Sequence, residues 1–433
     1  MIKCKKTILI PLETISRELD YKVFISMFLA YEGFNVVLGK KQYINYLITK
    51  YHSFIYLDKG YHEGISDNLY MMIKSRNGFI INLDEEGAVD FPDMSTLQNR
   101  YSKNMIKSVD KVFLWGKNQK KMILNSNINF NNLVVTGHPR FHLMKKNFFG
   151  LYESDVRDIK KKYKNFILIN TNFGFGNNIK GDDHVIKNYS NRFKNIELII
   201  KEDKLKFKLL VSLVKKISKN HDVIIRPHPE ELLYSYQKKF NNNSKVKIKR
   251  EKSSIPWIIA SKACIHMDCT TGIEAAILGK KVISFVPMNL NKKLLTEVPL
   301  KVSEIYSNSD EILKSLNATQ KKPFNNKILD NYFSLDLDIN FFLKQFNLLK
   351  NKNDFNSYFS KNLFSEFIFY FKLIVSKILR YINIDPLEKS KLNQYNKKFF
   401  YKRYAYYKKE NKILSGVKMI KKRELYYFNY DKT

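Results

Sequence analysis

Three carboxylates stand side by side in Asp84-Glu85-Glu86-Gly87, directly after the apolar run Phe79-Ile80-Ile81-Asn82-Leu83. Adjacent carboxylates repel one another and partial burial raises a pKa, so one of the three is a candidate for proton transfer. Gly87 lets the backbone turn sharply and lets a substrate come close. A solvated acidic loop is the competing explanation, but the position at a strand end favours chemistry. The segment Arg226-Pro227-His228-Pro229 is more specific. Arg226 offers a guanidinium fork for phosphate or carboxylate, and the flanking prolines restrict the backbone around His228. An imidazole there can donate to a phosphate oxygen or protonate a leaving group near neutral pH.

Asp268-Cys269-Thr270-Thr271-Gly272-Ile273-Glu274 reads as a strand end that opens a helix. Thr271 fits the N-cap and Glu274 its capping-box partner. Thr270 is then spare, and its hydroxyl beside free helix amides suits a phosphate. Asn172, Phe173 and Gly174 lie in a glycine-containing loop that either approaches a nucleotide or is a plain connection; it lacks the dinucleotide fingerprint. Glu13 and Arg17 sit in a polar strand-to-helix junction, where Arg17 either meets an anionic substrate or pairs with a neighbouring acid. Gly137-His138-Pro139 reads as a turn, with His138 a further candidate. Cys264, His266, Asp268 and Cys269 have the spacing of a strand rather than of a zinc site, and no metal is assigned.

The elements that must hold these residues fall into two series. Candidate strands Thr7–Leu12, Asn35–Leu38, Ser53–Leu57, Gly78–Leu83, Lys111–Trp115 and Leu133–Thr136 alternate with helical stretches such as Tyr21–Tyr31 and Gln98–Ser108. A second set, Phe166–Asn170, Asp222–Ile225, Lys245–Ile248, Ala263–Met267 and Lys281–Phe285, alternates with Leu205–Ser218, Ile255–Ser261 and Gly272–Leu278. Such alternation specifies parallel sheets with crossover helices. The expected architecture is α/β: two Rossmann-like domains facing a cleft, residues 1–145 holding an acceptor and 146–350 a donor. Every motif above follows a strand, where open α/β sheets collect ligands.

At 433 residues, 44% of them hydrophobic, the chain is long enough for two cores. Its net charge of +35 predicts attraction to polyanions, although abundant Lys, Asn, Ile, Phe and Tyr together also follow from an AT-rich coding sequence. Three cysteines, Cys4, Cys264 and Cys269, make a poor disulfide framework and fit a reducing compartment. The apolar run Thr7–Leu12 is too short for a signal peptide. A cytoplasmic protein is expected, either soluble or peripheral on the inner face of the inner membrane.

Residues 351–433 differ in character. Between Leu363 and Asn383 the polar residues Ser365, Glu366, Lys372, Ser376, Lys377, Arg380 and Asn383 share an arc of about 140° on a helix. The rest of its surface is Leu, Ile, Val, Phe and Tyr. From Leu387 onward there are fourteen Lys/Arg against four Asp/Glu, among many tyrosines. An amphipathic helix with a basic aromatic tail fits an anionic membrane surface as partner. Equally, it fits a helix packed on the second domain with a solvated tail.

The runs Leu9-Ile10-Pro11-Leu12-Glu13, Arg17-Glu18-Leu19-Asp20, Asp84-Glu85-Glu86-Gly87, Gly137-His138-Pro139-Arg140 and Asn170-Thr171-Asn172-Phe173-Gly174 resemble the bacterial surface carbohydrate biosynthesis protein family, over residues 1 to about 345. More distantly, the acidic-acidic-Gly, His-Pro and paired-hydroxyl motifs resemble the set shared by bacterial sialyltransferases and Kdo transferases, GT-B enzymes that use CMP-activated acidic sugars. That resemblance implies a metal-independent glycosyltransferase without cofactor, its substrates a nucleotide sugar, CMP-linked, and a glycan or glycolipid acceptor. It makes Glu85, or Asp84 or Glu86, the catalytic carboxylate and places His228, Thr270 and Thr271 on the donor phosphate. Arg226, Pro229, Asn172, Gly174 and Glu274 complete the donor side, and Glu13, Arg17 and His138 the acceptor side. Two departures stand out: three carboxylates in the acidic motif, and Thr-Thr where serines are common. The His-Pro and hydroxyl motifs also resemble CDP-glycerol glycerophosphotransferases and nucleotide-sugar 2-epimerases. A non-catalytic basic protein binding membrane or nucleic acid is the alternative of another class; ordered domains with polar strand-end motifs argue against it, and no nucleic acid is expected.

Overall fold

The computed structural model describes residues 1–85, 100–125, 132–191, 193–318, 326–351, 355–382 and 397–430. They form two compact units, one of residues 1–85, 100–143 and 331–430, the other of residues 144–330. In the first unit, β1 (Thr7–Leu12), β2 (Asn35–Lys40), β3 (Ile55–Asp58), β4 (Phe79–Leu83), β5 (Lys111–Leu114) and β6 (Leu133–Val135) are parallel, in the order β2-β1-β3-β4-β5-β6. All six residues of β1 are buried, as a central strand covered on both faces requires. Helix α1 (Ile15–Tyr31) connects β1 to β2.

The second unit is a parallel sheet of β7 (Phe166–Asn170), β8 (Asp222–Arg226), β9 (Val246–Ile248), β10 (Ala263–His266), β11 (Lys281–Phe285) and β12 (Glu304–Tyr306). Their order is β9-β8-β7-β10-β11-β12. Counted from its own first strand this is 3-2-1-4-5-6, the dinucleotide-binding order, whose direction reverses between β7 and β10. Helix α2 (Ile196–Ile217) packs Leu210, Leu213, Val214 and Ile217 against Ile167, Ile169 and Val223 of the sheet. Helix α3 (Thr271–Ile277) follows β10.

Every strand expected in the two series is present, with ends moved by at most two residues. β12 was not anticipated, because three half-polar residues carry no apolar run. Helices α1 and α2 begin six and nine residues before the expected Tyr21 and Leu205: α1 opens on the polar Ser16-Arg17-Glu18, and α2 adds the largely apolar turn 196–200 ahead of Lys201-Glu202-Asp203-Lys204. Of the expected helix Gln98–Ser108, Lys103–Ser108 is helical and residues 98–99 lie outside the described set.

The largest difference lies at the C-terminus. Residues 331–350, expected in the second domain, belong to the first unit: Phe342 and Phe346 meet Phe113 with ring centroids 5.1 and 5.7 Å apart. Nor are the described residues among 351–433 a separate solvated tail, or a helix on the second domain. Strands β13 (Val417–Lys422) and β14 (Leu425–Tyr430) form a hairpin that joins the first sheet, β14 antiparallel to β2 from Leu425 opposite Gly39 to Phe428 opposite Val36. A Cβ on Gly39 would lie 2.7 Å from the Glu424 carbonyl, so only glycine admits this approach. The described residues among 351–433 also form helices α4 (Leu363–Ile382) and α5 (Lys397–Glu410); α5 is pinned to α1 by Arg403 Nε on Asp20 (2.6 Å) and Tyr407 on the Asp20 carbonyl (3.0 Å). The tyrosines that read as a tail pattern are edge-strand and helix packing residues: Tyr426 stacks on Phe400 at 3.7 Å.

Candidate functional site

In the first unit the strand order reverses between β1 and β3, and a buried charged cluster lies beyond their carboxyl ends. Glu18, in the first turn of α1, is buried and accepts from the amides of Glu13 (3.1 Å) and Thr14 (2.8 Å). It satisfies helix-end donors that no N-cap side chain reaches. Lys22, one turn on, donates to Glu18 (2.7 Å) and to the Pro11 carbonyl (2.8 Å). Burial works to raise the Glu18 pKa, but Lys22 and then Lys59 outweigh it and hold the carboxyl at about 2. A depressed carboxylate contributes stability that is fully present above its unfolded value and is lost as pH falls through the folded one. Glu18→Gln is therefore expected to be less stable than the parent at neutral pH by about 3 kcal/mol. That gap narrows as pH falls below 4.5 towards 2, as urea unfolding of both forms across this range would measure.

Glu85 enters the same cluster from the end of β4. Its amide donates to the Lys59 carbonyl (2.9 Å). Oε1 accepts from the Tyr21 hydroxyl and lies 3.9 Å from Lys22 Nζ. Burial, then Glu85 itself, raises the Tyr21 pKa far above its ordinary value, so the phenol remains a donor. Oε2 is 3.8 Å from His138 Nε2 and 3.7 Å from an Arg140 guanidinium nitrogen. Both Oε2 and His138 Nε2 are buried without a hydrogen-bond partner among the described residues.

His138 is fixed by its neighbours. Its Nδ1 accepts from the Arg140 amide (3.1 Å), capping the short helix Pro139–His142, so the neutral ring carries its proton on Nε2. Tyr21, Trp115 and Phe141 surround it edge-on. Burial, then Arg140, Lys22 and Arg17, holds its pKa well below the ordinary value. The pair is thus a neutral Nε2–H donor facing a carboxylate acceptor.

Asp84 and Glu85, adjacent in sequence, have different surroundings. Asp84 is gripped by the Arg100 fork, with Nε at 2.8 Å, and its carbonyl accepts from the Trp115 indole (2.5 Å). Both of its side-chain oxygens are thereby engaged by Arg100. Glu86 and Gly87 lie outside the described residues. Glu13 is half-exposed and paired with Lys59 and Lys41; burial opposes its ionisation, but the two lysines hold its pKa below the ordinary value. Arg17 is half-buried and adds positive potential to both Glu18 and His138.

In the second unit the loops after β7, β8 and β10 meet at the reversal between β7 and β10. Asn172 donates to Asp268 (3.1 Å), which also accepts from Lys206 Nζ of α2 (3.0 Å) and the Thr296 amide (3.2 Å). Lys206 lies 3.9 Å from Asp203, whose carboxylate accepts from the amides of Phe175 and Gly176. Burial, reinforced by Asp268, pushes Asp203 up to about 7 against the pull of Lys206. A buried carboxylate, Glu231, ties two loops together: it accepts from the Thr171 hydroxyl (2.6 Å), the amides of Phe173 (3.2 Å) and His228 (2.9 Å), and the Tyr236 hydroxyl. His228 is half-buried, and its Nδ1 accepts from the Glu230 amide (3.3 Å) across Pro229. Gly174 lies beside it; a Cβ there would sit 3.6 Å from that nitrogen.

Two expectations are corrected here. Arg226 does not present a free fork: its terminal nitrogens donate to the carbonyls of Glu251 (2.8 Å) and Lys252 (3.0 Å), and its guanidinium covers the Trp257 ring at 5.2 Å. Nor does a capping box form. Thr270 takes the N-cap position without a side-chain bond, the Thr271 hydroxyl donates to Cys269 Sγ (3.1 Å), and Glu274 accepts from the Ser254 hydroxyl (2.5 Å). Gly272 packs onto His266, where any Cβ would lie 2.2 Å from Nε2. That imidazole is engaged with Ser303 (2.9 Å).

Glu18, Lys22, Arg140, Lys206, Asp268 and Glu231 are the structurally central polar residues that motif reading did not assign. Glu18, Arg140 and Asp268 lie inside quoted motifs without an assigned role, and Glu231 follows the His-Pro turn as its second acid.

No family model matches the chain, and no curated protein matches it by sequence. Solved structures do. The UDP-GlcNAc 2-epimerase of Methanocaldococcus jannaschii, in complex with UDP-GlcNAc and UDP, superposes with a TM-score of 0.50 at 11% identity, over 79% of this chain and 100% of that one. A variant of the wall teichoic acid polymerase TagF gives 0.53 at 11% identity, over 82% and 91%. A second TagF variant gives 0.52 at 11%, over 81% and 89%. The likeness is one of fold. This chain has a GT-B-like fold class, with two Rossmann-like units.

Proposed function

We propose that this chain is a glycosyltransferase of bacterial surface carbohydrate biosynthesis, moving an acidic sugar from a CMP-linked donor to a glycan or glycolipid acceptor. The carrying observation is the buried Glu85–His138 pair, an unpartnered acceptor facing an unpartnered donor. An acceptor hydroxyl satisfies both, its oxygen receiving the His138 Nε2–H and its hydrogen directed at Glu85 Oε2. As that oxygen bonds to the anomeric carbon, its proton passes to Glu85 and the bond from carbon to donor phosphate breaks, releasing the nucleotide. Lys22 and Arg140 stand beside the carboxylate, 3.9 Å from Oε1 and 3.7 Å from Oε2.

The donor nucleotide belongs to the second unit. Its strand order, with Asn172, His228, Thr270 and Thr271 at the strand ends, supports binding of the donor phosphates at the β7/β10 reversal. The three cysteines are free, as in a reducing compartment.

The epimerase and TagF folds favour a second chemistry on the same scaffold, 2-epimerisation of a UDP-sugar or transfer from CDP-glycerol. Titration calorimetry with CMP, CDP and UDP separates the three. The transferase reading expects CMP to bind at least about tenfold tighter than UDP, a difference of about 1.4 kcal/mol. Preference for UDP would sink the CMP-sugar assignment, and preference for CDP would move it to glycerophosphate transfer.

A further inference from the structure

Helix α4 is packed the wrong way round for a helix in water. An amphipathic helix ordinarily buries its apolar stripe and exposes its polar one. Here the contacts with the first unit come from the polar arc and its border. Ser365 accepts from Lys50, Glu366 pairs with Arg423 (3.3 Å), Phe369 stacks on Tyr46 at 3.9 Å, and Arg423 covers the Tyr370 ring at 3.4 Å. Among the described residues the opposite face is left open from 364 to 374. Phe364 is 73% exposed, Phe367 66%, Phe371 56% and Ile374 56%. These residues recur at three- and four-residue spacing, so they form one continuous stripe. A contiguous apolar patch of that kind marks an interaction surface.

Charge chooses among its occupants. Lys361 and Lys372 are exposed beside the stripe, and Lys418, Lys422 and Arg423 are exposed on the β13–β14 hairpin, which Arg423 fastens to α4. A second copy of the chain would bring these cations against one another. An anionic headgroup layer neutralises them while the acyl boundary takes the aromatic stripe. No helix among the described residues is long and apolar enough to cross a membrane, so the geometry is that of a helix lying in the interface. We infer that α4 docks in plane on an anionic phospholipid surface, inserting Phe364, Phe367, Phe371 and Ile374 and turning the hairpin lysines towards the headgroups. The inference rests on the surface of α4 and stands whether or not the transferase reading holds.

The test is sedimentation of the full chain with vesicles of phosphatidylglycerol and phosphatidylethanolamine, against vesicles of phosphatidylcholine. The parent should bind the anionic vesicles and be released by salt. The combined variant Phe364→Ser, Phe367→Ser, Phe371→Ser should partition at least about tenfold less, with unchanged circular dichroism and unfolding midpoint. The variant Lys418→Glu, Lys422→Glu should lose a similar factor on anionic vesicles alone. Equal partitioning of parent and serine variant would overturn the inference, as would absence of vesicle binding by the parent. A parent dimer that the serine variant dissolves, without vesicle binding, would give the stripe to a second copy instead.

Discussion

Replacing Glu85 with glutamine is expected to lower sugar transfer at least about a hundredfold, the lower end of what a positioned proton acceptor contributes. The amide keeps the shape of the side chain, and one of its termini can still receive the Tyr21 hydroxyl. What it cannot do is take a proton from the acceptor hydroxyl. Nucleotide affinity should stay within about twofold, because additivity holds for sites that share no partners and the proposed donor residues belong to the other unit. Single-turnover transfer assays with calorimetry on the same preparations would measure both quantities. Full transfer activity in the glutamine variant would end the assignment of Glu85.

The adjacent acid supplies an internal control. Asp84→Asn breaks the buried fork with Arg100 and strands a guanidinium, which costs about 3–5 kcal/mol of stability. Its transfer activity per folded molecule, measured at low temperature, should be close to that of the parent. Two neighbours in sequence would then fail in different ways, Glu85 in rate and Asp84 in folding. A solvated acidic loop predicts neither failure.

The contrast also marks how far the sequence was legible. β1 through β11 could be read because parallel strands buried on both faces appear as unbroken apolar runs, and Ile8, Leu9 and Ile10 are such a run. The hairpin could not, since its strand Val417–Lys422 alternates buried and exposed residues among lysines, a pattern shared with a solvated tail. The acidic motif left three residues open, because what separates Glu85 from Asp84 is the pairing of Asp84 with Arg100, which lies 16 positions on. Arg226 looked available for phosphate because a guanidinium fork fits carbonyl oxygens as well as anions. Nothing local says that the Glu251 and Lys252 carbonyls fold back beneath it. Lys206 was invisible for the same reason, an ordinary lysine in a helix until Asp268, 62 residues away, is placed against it. Spacing reports which element a residue sits on; pairing across elements sets its role.

Glu231 turns that principle into the second large effect. Removing the side chain in Glu231→Ala leaves the Phe173 and His228 amides and the Thr171 hydroxyl without their buried acceptor. Each stranded donor costs about 1–3 kcal/mol, so the second unit should lose at least about 3 kcal/mol. The same bonds hold the Thr171–Phe173 loop and the His228 turn in one arrangement, so nucleotide affinity should fall together with stability, by about tenfold or more. Glu231→Gln separates an oxygen acceptor from a charge. Its carbonyl can still serve the three donors on Oε1, and the Tyr236 hydroxyl can turn to accept from the new amide, so most of both losses should be recovered. Thermal unfolding followed by calorimetric titration would read the two variants side by side. Equal and small effects would mean that the loops are held by other contacts and that Glu231 is a bystander. A large loss in alanine with recovery in glutamine would make the donor site depend on a residue that never has to touch the nucleotide.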